Sequence, residues 1–392
     1  MSEETRINKA RERHQRRKRK RQSMAQAADN LRRRGTAGIG AGQMADWNGW
    51  RYVQIGASVI AGVLFMAVIV WAVGLFFDDD EARTPHNAIW LGADWTYEVH
   101  TDEQVGDLID TLNRNRIGTV YARVSELNYD GTWTGRADGL NRFTEVESAL
   151  TAFTSQFKTL APQTRLYGTV FFRVDIGQDD GYRLDNPSIQ ALVADFSAEV
   201  VNDLGFDGVL LVVEPLWNES SPDMLDLLRL VRERIGASAS LAVAVPPDWT
   251  PEDVNVPQTG LIAAGTVLDE GFKQRLALVG VDEIVVQAYN SYLNRADDYA
   301  AWMAYQVESY ARAIGELGLS TRVLIGIPAY PSDLPAHDEF IEDISNALEG
   351  VRRGLAASGE AGEVIRGVAI YTERGMDDDA WDAYRRGWLN RD

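Results

Sequence analysis

The chain contains no cysteine, which removes disulfides, thiolate metal sites and cysteine nucleophiles together. Its four histidines, His14, His86, His100 and His337, stand far apart and show no ligand spacing. No Gly-x-Ser-x-Gly nucleophile elbow occurs. The run Gly38-Ile39-Gly40-Ala41-Gly42 follows no strand and opens no crossover unit, so it reads as flexible linker rather than as a dinucleotide loop. Neither a metal nor a cofactor is expected. Lack of cysteine does not argue against an external location, because a chain of 392 residues with 45% hydrophobic content can rest on its core alone.

Charge is missing from one stretch. Residues 52–77 are twenty-six positions without a charged side chain, enough for a helix to cross a hydrocarbon core of about 30 Å. Trp50, Tyr52, Trp71, Phe76 and Phe77 place aromatic rings near its ends. A secretory signal peptide would have a shorter apolar core and a small-residue cleavage site, whereas Asp78-Asp79-Asp80-Glu81 follows here. A retained single-pass anchor is expected. Upstream, fourteen Lys and Arg against five acids give residues 1–51 a net charge of +9, leaving −28 for the remainder of a chain whose total is −19. The positive-inside rule then puts the basic tail in the cytoplasm and the acidic body outside, at the cell membrane. The tail is read as a topology determinant touching anionic lipid; nucleic acid is not the expected partner.

The expected organisation is a basic cytoplasmic tail (1–51), a transmembrane helix (52–77), a linker (78–86) and one folded domain (87–392). Within that domain short β-branched runs alternate with longer amphipathic stretches. Strands are expected at 88–93, 118–124, 165–172, 208–213, 241–245, 283–288, 322–327 and 367–371. Eight such units close an α/β (β/α)8 TIM barrel. An open doubly wound sheet is the alternative, but the first strand ends in Gly92-Ala93-Asp94-Trp95, an acid and an aromatic, instead of a phosphate-binding glycine turn. The long connections 125–142 and 175–186 are candidate substrate-contacting loops.

In a barrel, the C-terminal strand ends share one mouth, where chemistry is done. Those ends carry Asp94 with Trp95, Glu126, Arg173 with Asp175, Glu214, Asp248, Gln287 with Tyr289 and Asn290, Tyr330, and Tyr371 with Glu373. The set is acidic, polar and aromatic. Rings at the same loops, among them Tyr97, Tyr129, Trp133, Tyr182, Trp217, Trp249 and Tyr292, suit the alternating C–H and hydroxyl faces of a sugar, although some must simply cap the core. Glu214 ends an apolar strand abruptly and is the expected catalytic group.

Four segments resemble glycoside hydrolase family 18, the chitinase-like barrels. Asp207-Gly208-Val209-Leu210-Leu211-Val212-Val213-Glu214 resembles that family's D-G-x-D-x-D-x-E strand. Gln287-Ala288-Tyr289-Asn290, Gly326-Ile327-Pro328-Ala329-Tyr330 and Gly367-Val368-Ala369-Ile370-Tyr371 resemble its sixth, seventh and eighth strands, the last ending in Tyr rather than the usual Trp. The resemblance implies a glycan ligand, Glu214 as general acid, and Tyr289, Asn290 and Tyr330 orienting the sugar. It also exposes a departure, since Leu210 and Val212 occupy the two inner Asp positions, one of which in the family positions the substrate's acetamido group. A second carboxylate could come from elsewhere at the mouth, Glu373, Asp94 and Glu126 being the nearest by strand position. Two readings follow: a membrane-anchored glycosidase-like protein acting on an N-acetylhexosamine-containing or other cell-envelope glycan, or a non-catalytic glycan-binding or scaffold protein. A third makes the basic tail the functional part and the barrel a sensor.

Overall fold

The computed structural model describes residues 86–135, 141–174, 182–216, 220–248, 268–331 and 336–390. All fall in the second of two compact units, residues 83–392. The basic tail, the expected span at 52–77 and most of the linker lie outside the described residues, and among those described no helix is long and apolar enough to cross a membrane.

Nine strands form one sheet among the described residues: β1 (Asn87–Trp90), β2 (Ile117–Leu127), β3 (Trp133–Thr134), β4 (Arg165–Arg173), β5 (Gly208–Glu214), β6 (Ser240–Val245), β7 (Glu283–Val286), β8 (Arg322–Pro328) and β9 (Ile365–Tyr371). β2, β4, β5, β6, β7, β8 and β9 pair in that order, all parallel. β1 pairs with both β9 and β2, so eight parallel strands close on themselves with helices between them. This is the (β/α)8 barrel expected from the alternation.

Each expected strand is present, with its ends moved by up to three residues. The main difference is in the connection 125–142. β2 continues to Leu127, and a turn closed by Asn128 N–H on Thr132 O (2.8 Å) returns the chain as β3, antiparallel to β2. Gly131 sits there at φ +82, and the Asp130 carboxylate accepts from Thr132 N–H at 3.0 Å. A glycine at positive φ beside an Asx-type bond is a self-sufficient turn, which frees the flanking residues to pair.

β5 shows how one strand builds two cores. Val209, Leu211 and Val213 pack outward under the helices, whereas Leu210 and Val212 join Tyr121, Tyr167, Ala242, Ala244, Val285 and Leu324 in the lumen. Large rings from β2 and β4 are matched by alanines from β6. The lumen is thus a packed platform, each fully buried Val or Leu contributing roughly 1.5–3 kcal/mol relative to exposure. Helix starts are capped by side chains: Thr101 and Gln104 form a capping box, and Asn186 and Asp377 cap their helices. The helix Ser221–Ile235 has Ser220 at its cap position, with no side-chain capping bond.

One strand-end acid does not reach the mouth. Asp248 is fully buried, ion-paired with Lys273 and bonded by the Ser309 hydroxyl, while the Gln306 amide brackets its backbone at 2.7 Å on each side. It fastens the chain after β6 to the helices Glu270–Leu278 and Ala296–Ile314.

Deeper in the barrel, Glu283 is fully buried, accepts from the Tyr121 hydroxyl and faces Arg322 at 3.4 Å. Burial holds its carboxyl above the ordinary 4.5, against the opposing pull of Arg322. A carboxyl raised by folding gives stability that is complete below the unfolded value and is lost as pH rises through the folded one. Urea unfolding from about pH 4 to 7 is therefore expected to show wild-type stability falling relative to Glu283→Gln; parallel pH profiles would contradict this.

Candidate functional site

Glu214 closes β5 with its side chain exposed at the mouth. Gln287 Nε2 donates to its Oε1 at 3.2 Å. No ion pair engages Glu214 among the described residues. Beside it lies a cluster of three tyrosines. Tyr289 stacks on Tyr371 with centroids 5.0 Å apart and planes at 14°, and Tyr330 meets both edge-on at 6.0 and 5.5 Å. Burial keeps the phenol of Tyr289 protonated well above its usual range, with Tyr371 and then the Glu214 charge adding to the effect. Tyr371 is likewise raised by burial, pushed further by Glu214 and opposed by Arg123. Glu214 and the tyrosines therefore share one electrostatic environment.

Asn290 and Tyr330 are held by a buried carboxylate that the sequence reading did not single out. Glu342 accepts from Asn290 N–H (2.8 Å), Ser291 N–H (2.7 Å) and the Ser291 hydroxyl (2.6 Å). This fixes the turn after β7, where Asn290 adopts φ 58. The Tyr330 hydroxyl donates to Asn290 Oδ1 at 2.7 Å. His337 lies 3.0 Å from Glu342 Oε2 and 2.9 Å from Tyr330 O, stacked on the Tyr330 ring at 4.2 Å. An isolated histidine gave no sequence signal; its partner is five residues away in a loop of no recognisable period.

The three acids considered as partners for Glu214 are all engaged. Asp94 is ion-paired with Arg374. Glu126 accepts from Arg123 Nη2 at 2.9 Å and Arg173 Nε at 2.7 Å. Glu373 accepts from Gly92 N–H at 2.9 Å and from the Trp95 indole at 2.8 Å. At the two inner positions Leu210 and Val212 are 0% and 2% exposed, so β5 itself offers Glu214 no neighbouring acid. Among the described residues no group of three or more His, Asp or Glu could hold a metal ion.

The aromatics divide by role. Trp95 rests on His100 and Phe153, Trp133 stacks on Phe196 at 3.9 Å, and the Tyr97 hydroxyl donates to Val124 O at 3.0 Å. These rings pack the wall. Tyr129, Tyr182 and Tyr292 are exposed; Asp175, Trp217 and Trp249 lie outside the described residues. Trp90, at the end of β1, tilts against Tyr121 and meets Tyr371 edge-on at 5.4 Å.

A cavity of about 590 Å³ opens beside Trp90, Arg123, Thr169, Phe171, Tyr371 and Arg374, a size suited to a small ligand. Glu214 is not part of its lining; Tyr371 belongs to both, lining the cavity and feeling the Glu214 charge. Arg374 also borders a second cavity of about 530 Å³ next to Tyr330 and Phe340. Arg123, Thr169 and Phe171 were not anticipated, because the sequence reading took only strand ends. Alternation along β4 from the lumen residue Tyr167 to Thr169 and Phe171 was the available signal.

No protein-family model matches the chain, and no curated protein matches it in sequence. Among solved structures it is similar to a class V chitinase from Pseudomonas fluorescens, at 14% identity and a TM-score of 0.49 over 77% of this chain and 99% of that one. It is also similar to a chitinase from Chromobacterium violaceum (15%, 0.49, 78% and 100%). A third is the spore cortex-lytic enzyme SleL of Bacillus cereus (10%, 0.49, 78% and 74%). These are likenesses of chain fold; the barrel here is defined by its own strand pairing.

Glu373 ties the β1 turn to the β9 end. Glu373→Ala is expected to lower unfolding stability by about 1–3 kcal/mol, since two donors lose a charged acceptor. Unchanged denaturant midpoints with altered activity would contradict that assignment.

Proposed function

We propose that the barrel mouth binds a saccharide and that Glu214 donates a proton to the oxygen of a glycosidic bond. The observation that carries this reading is the placement of Glu214: a strand-end carboxylate without a cationic partner among the described residues, held by Gln287 and electrically coupled to Tyr289 and Tyr371. Tyrosines kept protonated remain hydrogen-bond donors and present flat faces to a sugar ring. Tyr289, Asn290 and Tyr330 orient that ring; Trp90 and Tyr371 carry its apolar side.

The rest of the mechanism follows from what the site lacks. With Asp94, Glu126 and Glu373 engaged by other partners, this reading takes water or the substrate's own substituent as the attacking group. A developing positive charge at the sugar would find Val212 where an acid could have stood. Loss of one such preorganised charge costs about 10²–10³ in rate, so turnover is expected to be slow rather than absent.

The ligand proposed is an N-acetylhexosamine-containing or related cell-envelope glycan. The apolar run at 52–77 would hold the protein in the membrane with the barrel outside, and loss of membrane sedimentation on deleting residues 1–77 tests that part. The burial of Leu210 and Val212 favours a second reading, glycan binding without turnover. Reducing ends released from chitooligosaccharides and peptidoglycan, together with calorimetric binding, separate the two. Glu214→Gln is expected to bind as wild type and lose about 100-fold or more of the rate. Equal rates in the variant would remove Glu214 from the chemistry, and binding by a wild type with no turnover would establish the second reading.

A further inference from the structure

Against the Tyr330 ring lies a pair of titratable side chains, His337 and Glu342, which are 1% and 0% exposed. Both nitrogens of the His337 ring face oxygen: Nδ1 is 3.0 Å from Glu342 Oε2, and Nε2 is 2.9 Å from Tyr330 O. A backbone carbonyl only accepts, so Nε2 carries a hydrogen. The contact between Nδ1 and Oε2 needs a second hydrogen, on one atom or the other. A neutral imidazole and an ionised carboxylate together supply only the first.

What else Glu342 accepts directs that hydrogen to the ring. Oε1 takes the Ser291 N–H at 2.7 Å and the Ser291 hydroxyl at 2.6 Å, and Oε2 takes the Asn290 N–H at 2.8 Å. Three donors on one carboxyl group favour its ionised form. The Tyr330 ring lies on the imidazole with centroids 4.2 Å apart and planes at 17°, a stack that a cationic ring strengthens. The other ionisable groups around the pair leave this direction intact. Tyr330, and Tyr299 on the helix Ala296–Ile314, are kept protonated above the usual phenol range by burial first and by the Glu342 charge second. Tyr289 and Tyr371, edge-on to Tyr330, are likewise raised by burial. Asp343, raised by burial, caps the helix Ile344–Ser358, and a negative charge there favours the imidazolium. Asp338, Glu339 and Tyr292 are exposed, and Arg374, across the neighbouring cavity with Asp377, is ion-paired with Asp94.

We propose that His337 is a positioning residue that works as an imidazolium, donating from one ring to the Tyr330 carbonyl and to the Glu342 carboxylate. Through these two bonds it fixes both members of the Tyr330 hydroxyl to Asn290 Oδ1 bond of 2.7 Å. The inference rests on the reading of the mouth as a saccharide site and adds a pH dependence to it. Loss of the ring proton sets a bare nitrogen against an acceptor in a buried place, so one of the two bonds is given up. Tyr330 and Asn290 then lose their common anchor. The competent form is the protonated one, and sugar binding therefore weakens as pH rises.

Nitrogen–proton correlation NMR of the imidazoles in the full chain, with His337→Gln to assign the signal among the four histidines, tests the proton directly. At about pH 7 both His337 nitrogens are expected to carry hydrogen, and in Glu342→Gln the signal should become that of a neutral ring. Calorimetry with a chitooligosaccharide and a soluble peptidoglycan fragment, from about pH 6 to about pH 9, tests the consequence. Wild-type affinity is expected to fall about tenfold across that range, in step with loss of the imidazolium signal. Glu342→Gln and His337→Gln should instead bind weakly and evenly at every pH. Glu342→Gln retains the ring, which keeps the test decisive should His337→Gln fail to fold. A neutral His337 ring in the wild type, an affinity that does not vary with pH, or a fall shared by both variants would overturn the proposal and leave the saccharide reading standing. If neither glycan binds at any pH, the saccharide reading falls and takes the positioning role with it.

Discussion

Everything at the mouth depends on closure of the barrel through β1. This strand has four residues, yet it is paired on both edges, to β2 and to β9. Two side-chain clasps hold the seam. At its start Asn87 Oδ1 accepts from Val368 N–H at 3.2 Å and from the Trp388 indole at 2.7 Å, and His86 O lies 2.5 Å from where a Cβ on Gly367 would sit. At its end Glu373 grips Gly92 and Trp95. A four-residue strand contributes few ladder bonds, so these clasps matter to whether the sheet closes or gapes. Only when it closes do Trp90 of β1, Arg123 of β2 and Tyr371 of β9 line one cavity.

That constraint explains what the sequence could and could not disclose. Strand existence was legible, because buried parallel strands are apolar runs such as Val209 to Val213, bounded by Gly208 and Glu214. The acidic strand ends were legible as residue types but not as partners. Asp94, Glu126 and Glu373 look alike on paper. One is paired with Arg374, one shared by two arginines, and one bound to backbone and indole donors, and all of these partners except Arg123, three residues before Glu126, are far away in sequence or on another strand. Asp248 fails differently, since a residue just past a strand end can turn either to the mouth or under the helices. A nearby lysine on the following helix drew it under. His337 and Glu342 act on Asn290 and Tyr330 through a loop, where no periodicity marks a buried carboxylate.

The body beyond the basic tail carries −28, a field that slows the approach of an acidic polymer.

The central claim is that a sugar lies across Tyr371 with its scissile oxygen at residue 214. A crystal structure of Glu214→Gln with a bound tetrasaccharide tests it most directly. The account predicts a ring against Trp90 and Tyr371 and a glycosidic oxygen within about 3 Å of the Gln side chain, the reach required of a proton donor. A sugar bound only beside Phe340, or at the opposite end of the barrel with the mouth empty, would contradict it.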